Sequence, residues 1–401
     1  MALVHEAPAR IAVAVSGGSD SMGLLHVMAA VAVSKGWELH AVTVDHALRP
    51  EAAAEAESVA RVCAGLGVAH SILRWEHGVV AGNLMDVARR ARYALMADWA
   101  ERRGISHILL GHTADDQAET FLMGLAREAG IDGLVGMRRH WNQECVRFLR
   151  PFLGVERRQL RDYLAWQGVA WVDDPSNEND RFMRVKARAA LRCLEPLGIG
   201  VGTLSAVISH LSMAQDAVQA AAAETSARIA TSSAGEVIMD REGWRLAPAE
   251  VRRRLLIKAL RWVSGAGYAP RADAVARVED AICQGKDAIL AGCRIRVSQA
   301  AFRVVREPRA VAGLVAAPGT LWDRRWQVEG IFAPGQQVRA LGAEGLRQCK
   351  GWRETGHSRD SLVVSPAIWY DDVLIAAPVA GFAAGFCARI VADFNQFVVS
   401  H

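Results

Sequence analysis

The sequence predicts an α/β protein: a doubly wound parallel sheet, then a helical domain and a small β-rich C-terminal domain. Three observations predict it. Short apolar runs alternate with helical patterns through the first half of the 401 residues. A glycine-rich turn joins the first such run to the first helix. The pattern then becomes helical and Ala-rich, and turns strand-like beyond about residue 318. Strands that alternate with helices pair in parallel and carry helices on both faces.

The first strand is read at 11–15, Ile-Ala-Val-Ala-Val, and the first helix follows from Met22. A second strand spans 38–44 and ends at Asp45-His46, with an Ala/Glu-rich helix at 51–66 behind it. A third strand at 68–73, a long helix at 84–103, a fourth strand at 107–110 and a helix starting near Ala114 complete the alternation. Residues 155–197 read as helical, broken by the turn signal Asp173-Asp174-Pro175-Ser176-Asn177. Residues 204–286 read as a mostly helical separate domain. In it, the stretch from Arg252 to Arg261 is a basic amphipathic helix, read as a solvated face or as a nucleic-acid contact. Near the end, 363–369 and 373–378 read as paired short strands. The domains expected are 1–200, 201–312 and 313–401.

Composition bounds the class. Half of the chain is hydrophobic and 22% is charged, which makes it a folded globular protein. The net charge of +4 permits a nucleic-acid partner without requiring one. The seven cysteines are widely spaced with no Cys-x-x-Cys, which excludes a zinc ribbon or a disulfide framework and suits reduced thiols. No apolar run has the length of a membrane span, and no basic segment leads a cleavable apolar one, so a soluble cytoplasmic protein is expected.

The loop Ser16-Gly17-Gly18-Ser19-Asp20-Ser21 lies between a strand and a helix. There, backbone N–H groups and the positive end of a helix dipole converge on one point, which favours phosphate. The Lys-Ser/Thr ending of a Walker loop is missing. A plain turn has the same composition, so the loop needs the rest of the chain to carry a function. In an open parallel sheet, ligands sit beyond the carboxyl ends of the strands. Asp45-His46 and Gly111-His112 fall at such ends as well.

The run Gly111-His112-Thr113-Ala114-Asp115-Asp116-Gln117-Ala118-Glu119-Thr120 is the densest polar cluster. Helix capping accounts for one or two of these residues. Asp116 and Glu119, spaced i,i+3, share a helix face and could hold Mg2+ or grip a cationic substrate. Asp45 is a candidate metal ligand or base, and His46 and His112 are candidate proton carriers or phosphate donors. Arg89 and Arg92, also i,i+3, suit bidentate grips on phosphate.

Together these segments resemble the N-type ATP pyrophosphatases of the PP-loop superfamily and, within them, the tRNA(Ile)-lysidine synthetases. The resemblance rests on the loop 16–21, on Asp45-His46-Ala47-Leu48-Arg49, and on Asn83 with Ala88-Arg89 and Arg92-Tyr93. It continues through the run 111–120, Gly133-Leu134, Leu149-Arg150-Pro151, the segment 171–177, Phe182 and Arg184. It covers about the first 190 residues. Departures are Glu128 after Arg127, where the family usually has Gly, and Val185 after Arg184, where it usually has Asn.

The resemblance implies a ligase that joins L-lysine to C2 of the wobble cytidine in a tRNA(Ile) with a CAU anticodon. ATP is split to AMP and pyrophosphate through an adenylated base. Under it, Ser16, Gly17, Gly18, Ser19, Asp20 and Ser21 cradle ATP. Asp45, His112, Asp116 and Glu119 are assigned to catalysis and Asp45 also to Mg2+, while Arg89, Arg92 and Arg184 take tRNA or nucleotide phosphate. A sulfur-delivering tRNA thiolase is disfavoured because paired cysteines are missing, and a glutamine-fed synthetase because no glutaminase-like segment is present. A binding module without catalysis is disfavoured by the intact acids. The oligomeric state stays open, a homodimer included.

Overall fold

The computed structural model describes residues 10–45, 52–76, 84–172 and 183–400. The chain divides into two compact units, Met1–Gln215 and Asp216–His401.

In the first unit the elements run β1 (Arg10–Ala14), α1 (Ser19–Lys35), β2 (Glu38–Asp45), α2 (Ala52–Gly65), β3 (Ala69–Arg74), α3 (Leu84–Glu101), β4 (His107–Leu110) and α4 (Ala114–Leu125). Then come α5 (Ile131–Leu134), β5 (His140–Gln143), β6 (Val146–Leu149), α6 (Arg157–Trp166), α7 (Met183–Leu194) and α8 (Val201–Ile229), with the unit boundary inside α8. The six strands form one sheet in the order β3-β2-β1-β4-β6-β5, parallel except for β5.

The side-chain alternation of β1 divides the core. Ile11, Val13 and Val15 pack with Leu24, Leu25 and Met28 of α1, Val59 of α2 and Leu164 of α6. Ala12 and Ala14 face the other way, toward Met96, Ala97, Trp99 and Ala100 of α3 and toward Phe148 of β6. The small alanines let α3 approach that face closely. The continuous apolar run is thus what a strand covered on both faces requires. From β1 the chain winds outward to β2 and β3, then crosses to β4 on the other side. The carboxyl ends of β1 and β4 are therefore the switch point of the sheet, where a crevice opens.

The strands read at 11–15, 38–44, 68–73 and 107–110 all form, as do the helices between them. The β5–β6 hairpin is an addition. Its turn places Glu144 at φ 53°, a left-handed position taken here without glycine or asparagine. Phe148 anchors it, stacked 5.0 Å from the Trp141 ring and edge-on 5.4 Å from Tyr93.

The second unit continues through β7 (Ala230–Ser233), β8 (Glu236–Asp240), α9 (Arg241–Leu246), α10 (Ala249–Ser264), α11 (Ala272–Gln284), β9 (Ala288–Leu290), β10 (Cys293–Val297) and β11 (Ala301–Arg306). These five strands make an antiparallel sheet in the order β7-β8-β11-β10-β9. The β7–β8 hairpin lies inside the stretch read as mostly helical. Beyond it, α12 (Pro308–Val311), β12 (Trp326–Glu329), β13 (Gln336–Ala340), α13 (Gly342–Gln348), α14 (Arg359–Val363), β14 (Pro366–Tyr370), β15 (Val373–Ala376), β16 (Cys387–Ile390) and α15 (Phe394–Ser400) form the β-rich end. There β14 and β15 pair antiparallel, as expected.

The basic helix α10 is neither a solvated face nor an open basic patch. Leu255, Leu256, Ala259 and Leu260 sit in the core, and Arg254 and Lys258 are buried with them. Arg253 and Arg254 pair with Glu250, Lys258 donates to the Val398 carbonyl, and Arg252 and Arg261 donate to carbonyls beyond the two helix ends. Long aliphatic stems let cationic residues line a core while their heads find oxygen. Among the described residues no single helix is long and apolar enough to cross a membrane. All seven cysteines are free.

Replacing Phe148 by Ala should cost about 3–5 kcal/mol, because a fully buried ring between two aromatic neighbours is lost. Urea unfolding of the two proteins measures it.

Candidate active site

The loop after β1 turns through Gly17 at φ 88°, which needs glycine, and reaches extended backbone at Gly18, the N-cap of α1. Its hydroxyls are organised around Ser21, whose Oγ accepts from the Ser16 N–H at 3.1 Å and donates to the Gly18 carbonyl at 3.0 Å. Ser16 Oγ lies 3.2 Å from Ser21 Oγ, and Ser19 Oγ accepts from Arg161 at 3.3 Å. The loop is pinned from outside by the Val172 N–H, which donates to the Gly17 carbonyl at 3.1 Å. The first turn of α1 points its N–H groups into the space beyond, as an anion cradle requires.

Glycine at position 111 brings the second half of the site against this cradle. A Cβ on Gly111 would stand 2.9 Å from the Asp20 carbonyl oxygen and 2.9 Å from Ser21 Cα. Both neighbours are backbone, so no larger residue fits without moving the loop. α4 begins three residues later, so two helix N-termini open on one crevice.

Asp116 closes the start of α4, its Oδ2 accepting from the Thr113 N–H at 2.9 Å and from Thr113 Oγ1 at 3.2 Å. The capping role and the functional one coincide in this residue. Its other oxygen and the carboxylate of Glu119 face Arg157, from the start of α6. That guanidinium stands 2.9 Å from Asp20, 3.5 Å from Asp116 and 3.5 Å from Glu119. Arg184 approaches Asp116 at 3.7 Å, and Arg188 donates to Glu119 Oε1 at 2.7 Å. Three acids and three arginines thus balance in one cluster. Glu119 Oε2 is buried and has no hydrogen-bond partner, a free acceptor in the middle of it.

The charges follow from these contacts. Burial raises the Asp20 carboxyl above its ordinary range, and Arg157 offsets this only in part. Burial works against the Asp116 charge too, but Arg157, the Thr113 N–H and Arg184 together outweigh it and hold the group low. His112 is different. Burial and the neighbouring Arg150 push its pKa down to about 3, with Arg92 and Arg184 adding to the effect and Asp116 opposing it. The ring is neutral at physiological pH beside an ionised Asp116.

The residues read from sequence therefore divide. The loop residues, Asp20, Asp116, Glu119 and Arg184 come together, with His112 beside them. Arg92 is half-buried near His112, and burial lowers its pKa. Arg89 is exposed, with its guanidinium 5.9 Å over the Tyr93 ring, and does not join the acids. Asp45 is half-buried at the tip of β2 on the same edge of the sheet. His46, Ala47, Leu48, Arg49, Asn83, the turn 173–177 and Phe182 lie outside the described residues. Three arginines were given no role by sequence reasoning: Arg150, Arg157 and Arg188. Arg150 stands inside the quoted motif Leu149-Arg150-Pro151, while Arg188 lies four residues beyond Arg184, past the last matching segment. Arg157 carries no local signal beyond the start of a helix.

Two predictions follow from the electrostatics. Arg157→Met should cost roughly 3 kcal/mol in urea unfolding at pH 7, because it strands buried carboxylates that Arg184 and Arg188 cover only in part. For His112 the folded pKa lies below the unfolded one, so the unfolded chain takes the proton first. Stability should fall as pH drops from about 6.5 toward 3. Unfolding of the wild type and His112→Asn at pH 4.5, 5.5 and 6.5 should show a shallower slope in the variant.

Comparison with known proteins places the chain in a family. Residues 2–193 match the PP-loop domain family. A tRNA(Ile)-lysidine synthase from Ruegeria pomeroyi is 42% identical, over 98% of this chain and 95% of its own length. One from Rhizobium meliloti is 37% identical over 80% and 73%, and one from Hyphomonas neptunium 40% over 71% and 78%. Among solved structures, a U34-tRNA thiolase from Methanococcus maripaludis shares 14% identity over 50% of this chain and 71% of its own, with a TM-score of 0.44. At that identity and coverage by full-length relatives, the chain belongs to the tRNA(Ile)-lysidine synthase family, ATP-dependent ligases built on a PP-loop domain.

Proposed function

We propose that the first unit joins L-lysine to C2 of the wobble cytidine in a tRNA(Ile) with a CAU anticodon, in two displacements at one crevice. The contact at Gly111 carries this reading, because it sets the phosphate cradle and the Asp116–Glu119 pair side by side. ATP lies with its β- and γ-phosphates on the loop 16–21 and the start of α1. Cytosine O2 attacks the α-phosphorus, the bond to the pyrophosphate oxygen breaks, and pyrophosphate leaves. The adenylated O2 makes C2 electrophilic. The lysine amine then attacks C2, AMP departs with O2, and the amine proton is lost.

The wobble base has to leave its stack to be reached, and an anticodon loop gives up a base more cheaply than a duplex does. Arg89, Arg92 and Arg184 suit the phosphates of tRNA or nucleotide. Asp116 and Glu119 suit a lysine ammonium, and the unpaired Glu119 Oε2 supplies an acceptor for it. Residues 201–312 and 313–401 hold the body of the tRNA in this reading, and the substrates place the reaction in the cytoplasm.

Mg2+ would find few protein ligands here. The oxygens of Asp116 and Glu119 are largely taken by Thr113 and the arginines, and no group of three ligating side chains exists among the described residues. Mg2+ is ordinarily held by one or two carboxylates plus substrate phosphates and water. Asp45, half-buried at the carboxyl end of β2, the strand next to β1, would hold it that way. Its chemistry there would be to spread the negative charge of the leaving pyrophosphate.

Mass spectrometry of isoleucine tRNA incubated with the protein, ATP and lysine should show the lysine adduct. Pyrophosphate release should require tRNA but not lysine. Asp20→Ala and Asp116→Ala should each abolish the adduct, and an unchanged yield from either would sink the assignment.

A further inference from the structure

We propose that Arg150 is a positioning residue that fixes His112 as the neutral imidazole with its one proton on Nε2, set to donate to a phosphoryl oxygen. The tautomer follows from the geometry alone, and only the identity of the acceptor rests on the function proposed above.

Arg150 follows β6 and is almost wholly buried. Its Nε donates to His112 Nδ1 at 3.0 Å. A guanidinium has donors and no acceptor, so the nitrogen that meets it must present a lone pair. The remaining ring proton is then on Nε2. Arg150 is itself held on several sides. Its Nη1 donates to the Arg138 carbonyl at 2.6 Å, its guanidinium lies 4.3 Å over the Trp141 ring, and its backbone N–H donates to the Arg139 carbonyl at 2.8 Å. The donor that fixes the imidazole therefore cannot rotate away at little cost.

The groups around the ring point the same way. Arg150, Arg92 and Arg184 each oppose a positive imidazole, and Asp116 alone favours one. Low acidity of the ring is useful where charge develops on an oxygen but no proton should be transferred. A neutral N–H aimed there stabilises the growing charge without becoming a competing acid. When O2 attacks the α-phosphorus, negative charge accumulates on the phosphoryl oxygens, and Nε2–H is the donor left for one of them. Trp141 lies on β5, Arg138 just before it and Arg150 just after β6, so the hairpin absent from the sequence reading has a part in positioning the ring.

The test is the imidazole 15N spectrum of His112, assigned with His112→Asn, in protein labelled at its 12 histidines. In the wild type Nδ1 should resonate as an unprotonated, hydrogen-bonded nitrogen and Nε2 as a protonated one, unchanged from pH 5 to 8. In Arg150→Met the two tautomers should mix, and the ring's pKa should rise from about 3 while staying below the ordinary 6.5, because burial, Arg92 and Arg184 still oppose the charge. Arg150→Lys, which keeps a donor, should restore part of the Nε2–H population. In lysidine formation the Met variant should lose roughly 10²-fold in kcat with little change in KM for ATP. A wild-type spectrum with the proton on Nδ1, or an imidazolium at pH 7, overturns the proposal even if Arg150→Met does not fold. So does a folded Arg150→Met with the wild-type tautomer and pH response. If the wild type forms no lysidine, the function falls while the spectrum still decides the tautomer.

Discussion

Everything in the crevice depends on one guanidinium. Arg157 reaches Asp20 on α1 and both Asp116 and Glu119 on α4. Three carboxylates that close would drive protons onto one another if no cation lay between them. Arg184 and Arg188 from α7 bring the cluster to neutrality. Such a network need not add net stability, since the desolvation of its members consumes much of the Coulomb gain. Its value is that charged groups stand in fixed places before substrate arrives. The cost of holding them is met in the apolar layers around β1, not in the crevice.

The backbone makes that arrangement possible. The carboxyl ends of β1 and β4 are neighbours in the sheet, so the helices that follow them begin side by side. Gly111 lets the second start approach the first to within van der Waals limits. Two helix N-termini favour anions, yet the side chains added between them are acids. The contradiction resolves when the reaction is considered. The proposed reaction would bring a polyphosphate and an ammonium to the same place, and would use a backbone that attracts one and carboxylates that attract the other.

The parallel sheet was legible because its strands are apolar on both faces and its turns carry glycine at strand ends. The β5–β6 hairpin was not, because it is four residues on each side and turns on Glu144 without a glycine. The acids of the site could be read because Asp116 and Glu119 lie one helical turn apart. Their partners could not. Arg157 is 137 residues from Asp20 and 41 from Asp116, and Arg188 is 69 from Glu119. Coulomb attraction leaves no periodicity in sequence, so only the fold shows which arginines belong to which acids. In α10 the error ran the other way. A row of arginines and a lysine looked solvent-facing because their charge, and not the apolar stems that line the core, dominates a hydropathy pattern.

A neutral His112 also limits how the second displacement can proceed. An amine that attacks C2 must give up a proton, and a histidine in an ATP site is the usual first candidate to take it. Here Nδ1 is engaged by Arg150 at 3.0 Å and Nε2 carries a hydrogen, so the ring has no free lone pair to offer. Making it an acceptor would require breaking that contact and placing a cation among Arg92, Arg150 and Arg184. In the proposed reaction, the field that would make His112 a good donor to phosphate in the first displacement would therefore disqualify it as the base in the second. Proton removal falls to a carboxylate or to the departing AMP.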